Sequence, residues 1–411
     1  MQHKDAVPKW WGAPRDFSTS TLERKISWLE LFYDLVYVVA ISTTTHWLAE
    51  HLNFSGWLDF IYLFLMIFWG WFNGSLHHDL HSSVGLRTRL MTLWQIMIVA
   101  AIIVAINSDH ECYIFNATIT FMLMQLFITY LWWSVGIYDK AHRKLNRPFT
   151  ICFLVSWAFM FATFYLPPQY IRITFYASLI LNYAPFIAPV FFKDVSTGFT
   201  FSSSMIERLG LFTTIVFGEV VFNIINGIVE LHVLNYIVWI QFVISILIAF
   251  LLWWIYFTLI ADRKTIQGKY VSHILLITYI FTLMSLAVLA VAFNKIFITD
   301  HIHSTVKNYK FLFGYGTAAF ISGNFIVTYF LMYLPIYKNV VKWLQLFLVF
   351  SIIALILITY FNQHFPLTLY LSFILILLLC IVIFLFRSWV KAELNNPATQ
   401  DTSKENEPIL T

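Results

Sequence analysis

The sequence predicts an all-α integral membrane protein with about twelve transmembrane helices, arranged in a pattern that suggests two parallel six-helix repeats. Three observations lead there. First, 60% of the 411 residues are apolar and 11% are charged, whereas a soluble domain is roughly 25% charged. No water-soluble globule of this size hides that much apolar surface, so the solvent is lipid. Second, apolar runs recur along the chain at the roughly 20-residue length that a spanning helix needs. Third, of the 25 Lys and Arg residues only Arg172, Lys295, Lys307 and Lys310 fall on one side of the alternating connections. Positive charge collects on the cytoplasmic side of membrane proteins. The bias therefore predicts a multi-pass cell (plasma) membrane protein with both termini cytoplasmic, and it requires an even number of spans.

Backbone groups cannot go unpaired in lipid, and the runs are too long and uniformly apolar for barrel strands, so each run reads as a helix. In order, the expected spans are 28–49, 56–75, 87–107, 114–138, 149–166, 170–192, 207–229, 234–260, 271–294, 309–333, 338–361 and 366–387. Charges or turn residues bound each one; the fifth and sixth are divided only by Pro167 and Pro168. The domain reading follows: a cytoplasmic N-terminal segment 1–27, a first half 28–192, a linker 193–206, a second half 207–387 and a disordered cytoplasmic tail 388–411. The opening MQHKDAVPKWWGAPRD lacks a short apolar core ahead of a small-residue cleavage site, so the first span is expected to act as the insertion signal. The repeat rests on an offset of about 180 residues. Glu23-Arg24 and Glu207-Arg208 precede similar Leu/Phe/Val patterns, and Trp71 and Asp79 have counterparts in Trp254 and Asp262. Chance matching in so apolar a composition is the competing account.

Three well-separated cysteines give neither a disulfide framework nor a zinc spacing. Phosphate-loop, nucleophile-elbow, haem and zinc-protease motifs are missing. The expectation is thus no enzyme, no cofactor, no metal and no nucleic acid. The expected partners are membrane lipids and an unidentified ion or small-molecule substrate, with the oligomeric state open.

Ionisable residues inside a membrane are costly and usually face the bundle interior. Glu30 and Asp34, four apart in the first helix, share one face. They read either as a proton or cation site or as part of a structural ion-pair network with Arg24, Arg87 or Arg89. Glu219 lies roughly 16 Å into the seventh span. Asn223, Asn226 and Glu230 follow it at helical spacing, and Arg208 precedes it on the same face. This polar stripe reads as a binding pathway, with interhelical hydrogen bonding as the alternative. Glu207 and Arg208 join the arginines as ion-pair or gating candidates. His77, His78, Asp79 and His81 read as a solvated cytoplasmic loop rather than a metal site, and Asp300, His301 and His303 as an external loop. Trp69 and Trp71, deeper beside Asn73, could line a cavity.

The segment Glu23–Ile41, ERKISWLELFYDLVYVVAI, closely resembles the opening signature of the bacterial low temperature requirement A family. Glu207–Ile225, ERLGLFTTIVFGEVVFNII, resembles that family's second hallmark, and Phe68–Leu90 its tryptophan-rich second helix end with an acidic loop and an arginine. The resemblance implies a polytopic bacterial membrane protein connected with growth in the cold. It places the family's motif acids on Glu30, Asp34, Glu207 and Glu219 and its loop arginine on Arg87 or Arg89. One departure is the loop, which reads His-His-Asp-Leu-His where many members look Asp-rich.

The expected function is that of a secondary-transporter-like protein whose intramembrane carboxylates couple to protons or cations. The rival expectation is a non-transport scaffold or lipid-interacting protein whose buried acids are structural. An intramembrane enzyme ranks last, because the connections are short.

Overall fold

Apolar composition with few interior breakers gives long helices, and the computed structural model of the chain contains little else. It describes residues 26–394 apart from 82–84, 109–112, 139–142, 192–200, 233, 261–262, 264, 267, 269, 303–306, 334–337 and 362–364. Among the described residues there are twelve helices: α1 (Trp28–Glu50), α2 (Phe54–His81), α3 (Leu86–Ile106), α4 (Tyr113–Tyr138), α5 (Arg143–Ala162), α6 (Pro168–Phe191), α7 (Ser203–Val229), α8 (Tyr236–Ile260), α9 (Val271–Ile302), α10 (Lys307–Val327), α11 (Lys338–Phe361) and α12 (Leu367–Leu394). Eight of them (α2, α3, α4, α7, α8, α9, α11 and α12) are long and apolar enough to cross a membrane. The other four carry more polar sequence: α1 holds three acids and a Thr-Thr-Thr-His run, α5 opens on Arg-Lys-Leu-Asn-Arg, α6 includes Arg172, and α10 opens on Lys-Asn-Tyr-Lys. The chain is a multi-pass, all-α membrane protein.

Two expected loops turn out to be helix. α2 continues through His77, His78, Asp79 and His81, and the three histidines are buried. The sequence reading ended this helix where its apolar run ended, but packing of neighbouring helices around a polar last turn extends it. α9 likewise runs to Ile302 and takes in Asp300 and His301, while His303 lies outside the described residues. α10 stops at Val327, short of the expected 333.

Contacts divide the chain into two compact units, Met1–Ile215 and Val216–Thr411, with the division inside α7. In the first unit α1 packs on α2 and α3, α2 also packs on α4 and α6, and α3 to α6 pack in succession. α2 is its central helix. Phe60, Phe64, Phe68 and Phe72 recur every four residues, all fully buried, and the last three rings stack on one another. In the second unit α8 packs on α10 and α12, and α9 to α12 pack in succession. Here α9 is deeply buried, with Leu286, Leu289, Ala290, Phe293 and Phe297 closed to solvent. Gly323 lets α10 lie against Thr282 of α9, where a Cβ would collide with the threonine side chain. The outward faces are apolar too. Trp343, Leu346, Phe350, Ile353 and Leu357 form an exposed helical stripe along α11, which suits lipid and would be an aggregation hazard in water.

Candidate functional site: a buried acid–arginine pair

The first unit buries charge. α1 begins with Ser27, whose Oγ accepts from the Glu30 backbone N–H at 3.4 Å and donates to Glu30 Oε1 at 3.1 Å. This is close to the reciprocal Ser-x-x-Glu cap that satisfies orphan donors at a helix start. The cap fixes the register of α1 and turns Glu30 and Asp34 inward, 5% and 0% exposed. Glu30 is therefore engaged at the helix start, one turn before Asp34.

Asp34 meets its cation on α7. Arg208 Nη2 donates to Asp34 Oδ1 at 2.6 Å, with both side chains essentially unexposed. Trp71 Nε1 of α2 donates to the same oxygen at 2.7 Å. Arg208 also points Nη1 at the Ser75 carbonyl, 3.5 Å away, and lies over the Tyr33 ring at 5.8 Å. The Trp71 ring packs on Phe212, one turn past Arg208, at 4.2 Å between centroids. A pair so deep is held by opposing large terms, since desolvation of each ion rivals their mutual attraction. Small changes in its surroundings can tip such a pair.

Around the pair lies a shell of polar groups. Trp71, Ser75 and His78 recur at i, i+4 and i+7 on one face of α2. His78 Nε2 is 2.9 Å from Thr92 Oγ1 of α3, and its ring meets that of Tyr33 edge-on at 5.8 Å. Gly74 keeps the helices close: the Tyr33 hydroxyl and Gln95 Nε2 press on it where a Cβ would collide with both. At the end of α2, Asp79 accepts from the hydroxyls of Ser202, at 2.6 Å, and Ser204. Ser202 Oγ in turn accepts from the Met205 N–H at 3.0 Å, capping α7. Asp79 thus fixes the start of the helix that delivers Arg208. Its position before α3 had suggested a loop; in fact it joins two helices.

The sequence candidates separate as follows. Asp34 and Arg208 come together directly, with Glu30 one turn away. Arg87 is buried and donates to Ser134 Oγ of α4 at 3.2 Å. Arg89 and Glu207 are exposed. The cation on Asp34 is thus Arg208, not Arg87 or Arg89 as the network reading expected. Arg24 lies outside the described residues. In the second unit Glu219 is half-buried, and its Oε1 accepts from Asn223 Nδ2 at 2.7 Å. Asn226 is half-buried, while Glu230 is exposed and faces Lys295 at 3.6 Å. Trp69 is fully buried and donates to the Asn182 carbonyl at 3.1 Å. Sequence reasoning did not single out Ser75, Thr92, Gln95 or Tyr33. The spacing of 71, 75 and 78 was the available signal. Among the described residues no group of three or more His, Cys, Asp or Glu is arranged to hold a metal ion.

The model of the family described as bacterial low temperature requirement A protein matches residues 25–385, most of the chain. No curated protein matches it.

Proposed function

We propose that this chain, which belongs to the bacterial low temperature requirement A family, is a secondary-transporter-like protein of the cell membrane in which the Asp34–Arg208 pair couples to protons. The family ties the chain to a low temperature requirement as a polytopic membrane protein. The finer reading rests on one observation: a fully buried carboxylate–guanidinium pair joins the two helices that carry the hallmark segments. Intramembrane acids paired in this way mark proton relays and ion pathways. Protonating Asp34 would release Arg208 and loosen the hold of α1 on α7, a local event suited to gating. Glu219, with Asn223 and Asn226, is the second polar station on α7. In this reading the partners are lipids and an ion or small-molecule substrate, with no catalytic step and no cofactor.

The neighbour pattern supports the repeat that such proteins often carry. Moving six helices along, α2 with α4 and α6 becomes α8 with α10 and α12, and the α3–α4–α5–α6 succession becomes α9–α10–α11–α12.

A second reading has its own observation. Gln125 of α4 and Asn182 of α6 exchange amide hydrogen bonds at 2.7 and 2.9 Å in the first-unit core. Polar groups that simply hold helices together are common in membranes, and Asp34 could be one more of them.

Asp34→Asn separates the two. The transport reading expects lost growth in the cold, and lost proton-driven flux once a substrate is found, at normal abundance in the membrane. Normal cold growth at normal abundance would sink it. Reduced abundance and melting temperature with full function per molecule would favour the scaffold.

A further inference from the structure

The carboxylate of Asp34 is used on one side only. Both donors, Trp71 Nε1 and Arg208 Nη2, converge on Oδ1. Oδ2 is buried and has no hydrogen-bond partner among the described residues. The same holds for Arg208 Nε, Ser75 Oγ and Gln95 Nε2. These are not scattered atoms. Arg208 touches both Asp34 and the Ser75 carbonyl, and Gln95 presses with Tyr33 on Gly74, the residue before Ser75. Asp34, Arg208, Ser75 and Gln95 are each at most 1% exposed. Four such orphans in one neighbourhood are unusual, because buried polar groups in native proteins are almost all satisfied by protein or ordered water.

The chemistry of the four selects the occupant. Oδ2 can only accept, Nε of Arg208 and Nε2 of Gln95 can only donate, and the Ser75 hydroxyl can do either. A metal cation is opposed by the guanidinium already on the carboxylate, and an anion by the carboxylate itself. A neutral molecule that both donates and accepts, at the size of a buried polar gap, is water, which typically makes two to four hydrogen bonds in such places.

We propose that Asp34, Arg208, Ser75 and Gln95 form a water-binding site inside the first unit. The bound water donates to Asp34 Oδ2 and accepts from Arg208 Nε, and the Ser75 hydroxyl and the Gln95 amide extend the chain toward α3. Tyr33 and His78 lie at the edge of the site. It stands on the cluster alone and holds whether or not the chain moves an ion.

The test is radiolytic hydroxyl footprinting of the full chain in lipid nanodiscs, read residue by residue by mass spectrometry. The probe is water itself, exchanged into oxygen-18 water. Side chains beside bound water are oxidised although they are closed to bulk solvent. Tyr33, Trp71 and His78 are expected to oxidise several-fold faster than Phe60 and Phe64, which are as deeply buried but lie two to three turns before Trp71 on α2, and to carry the heavy isotope. Ser75→Ala, a small change in a small side chain, is expected to slow that labelling several-fold. Labelling of Tyr33, Trp71 and His78 no faster than the phenylalanines overturns the site. Fast labelling that Ser75→Ala leaves unchanged overturns its assignment to these residues.

Discussion

At the residue scale, the structure turns on what happens when one partner of a buried pair is removed. Arg208→Leu leaves the buried Asp34 carboxylate without its cation, a change that costs about 3–5 kcal/mol. Asp34→Leu does the same to the guanidinium. The double substitution removes both charges, and apolar replacement of a whole buried pair is often close to neutral. The expected outcome is that the double variant melts in detergent above either single one; a double variant as unstable as the sum of the two would refute the pairing. Tyr333, between α10 and α11, makes a second case. Its hydroxyl donates to the Leu259 carbonyl at 3.1 Å, and burial pushes its phenol up to about 12 against the lowering pull of Arg263. Between the ordinary tyrosine value of about 10 and that figure, the folded chain keeps a proton that the unfolded chain has lost. Stability therefore falls as pH rises through this window. Melting curves of Tyr333→Phe across the window should fall less steeply than those of the native chain; equal slopes would refute the account. The sequence showed Asp34 and Arg208 as intramembrane charges, because their cost is local and visible. It did not show their pairing, because 174 residues separate them and seven other arginines stood nearer in the chain.

At the element scale, the helices themselves were largely legible. Apolar runs place all twelve, since lipid leaves the backbone no other economical way to satisfy its hydrogen bonds. What the runs could not show was where a helix continues past its apolar part. The last turn of α2 is polar in sequence, yet its histidines are buried by neighbouring helices and Asp79 is tied to the start of α7. This joint makes a prediction. Ser202→Ala removes the cap of α7 and one hydroxyl from Asp79, at a cost of about 1 kcal/mol. Asp79→Ala removes the acceptor from both serines at once and should lower the melting temperature further. If Asp79→Ala is the milder of the two, Asp79 does not anchor α7. Gly227 offers an equivalent test in the second unit. A Cβ there would run into the Asn294 and Phe293 carbonyls of α9. Backbone cannot step aside as a flexible side chain can, so Gly227→Val should destabilise by about 1–3 kcal/mol through overpacking, whereas Gly218→Val, which meets nothing within 4 Å, should not.

At the scale of the whole molecule, the decisive question is how many of the twelve helices cross the bilayer. α1, α5, α6 and α10 fall short of the apolar content of the other eight, each because of polar residues that a water-facing helix would also carry. The charge distribution argues that α1 and α10 cross nonetheless. Omitting α1 or α10 reverses the side of every later connection and breaks the concentration of Lys and Arg on one face. Omitting α5 and α6 together leaves the later connections in place and moves only the segment between them, which carries little charge to object. The bias therefore constrains α1 and α10 strongly and the α5–α6 pair weakly. Alkaline phosphatase fusions, active only outside the cytoplasm, resolve both cases. Fusions after Tyr138, Arg263 and Leu394 are expected to be inactive, and fusions after Tyr165, Leu231 and Phe361 active. An inactive Tyr165 fusion alone would mean that α5 and α6 do not cross. Activity that inverts only after α10 would mean that α10 does not. A pattern inverted throughout would mean that α1 does not cross or that the N-terminus is external, and an external N-terminus would put the Asp34 end of α1 outside the cell, against the proposed route for protons to the cell interior.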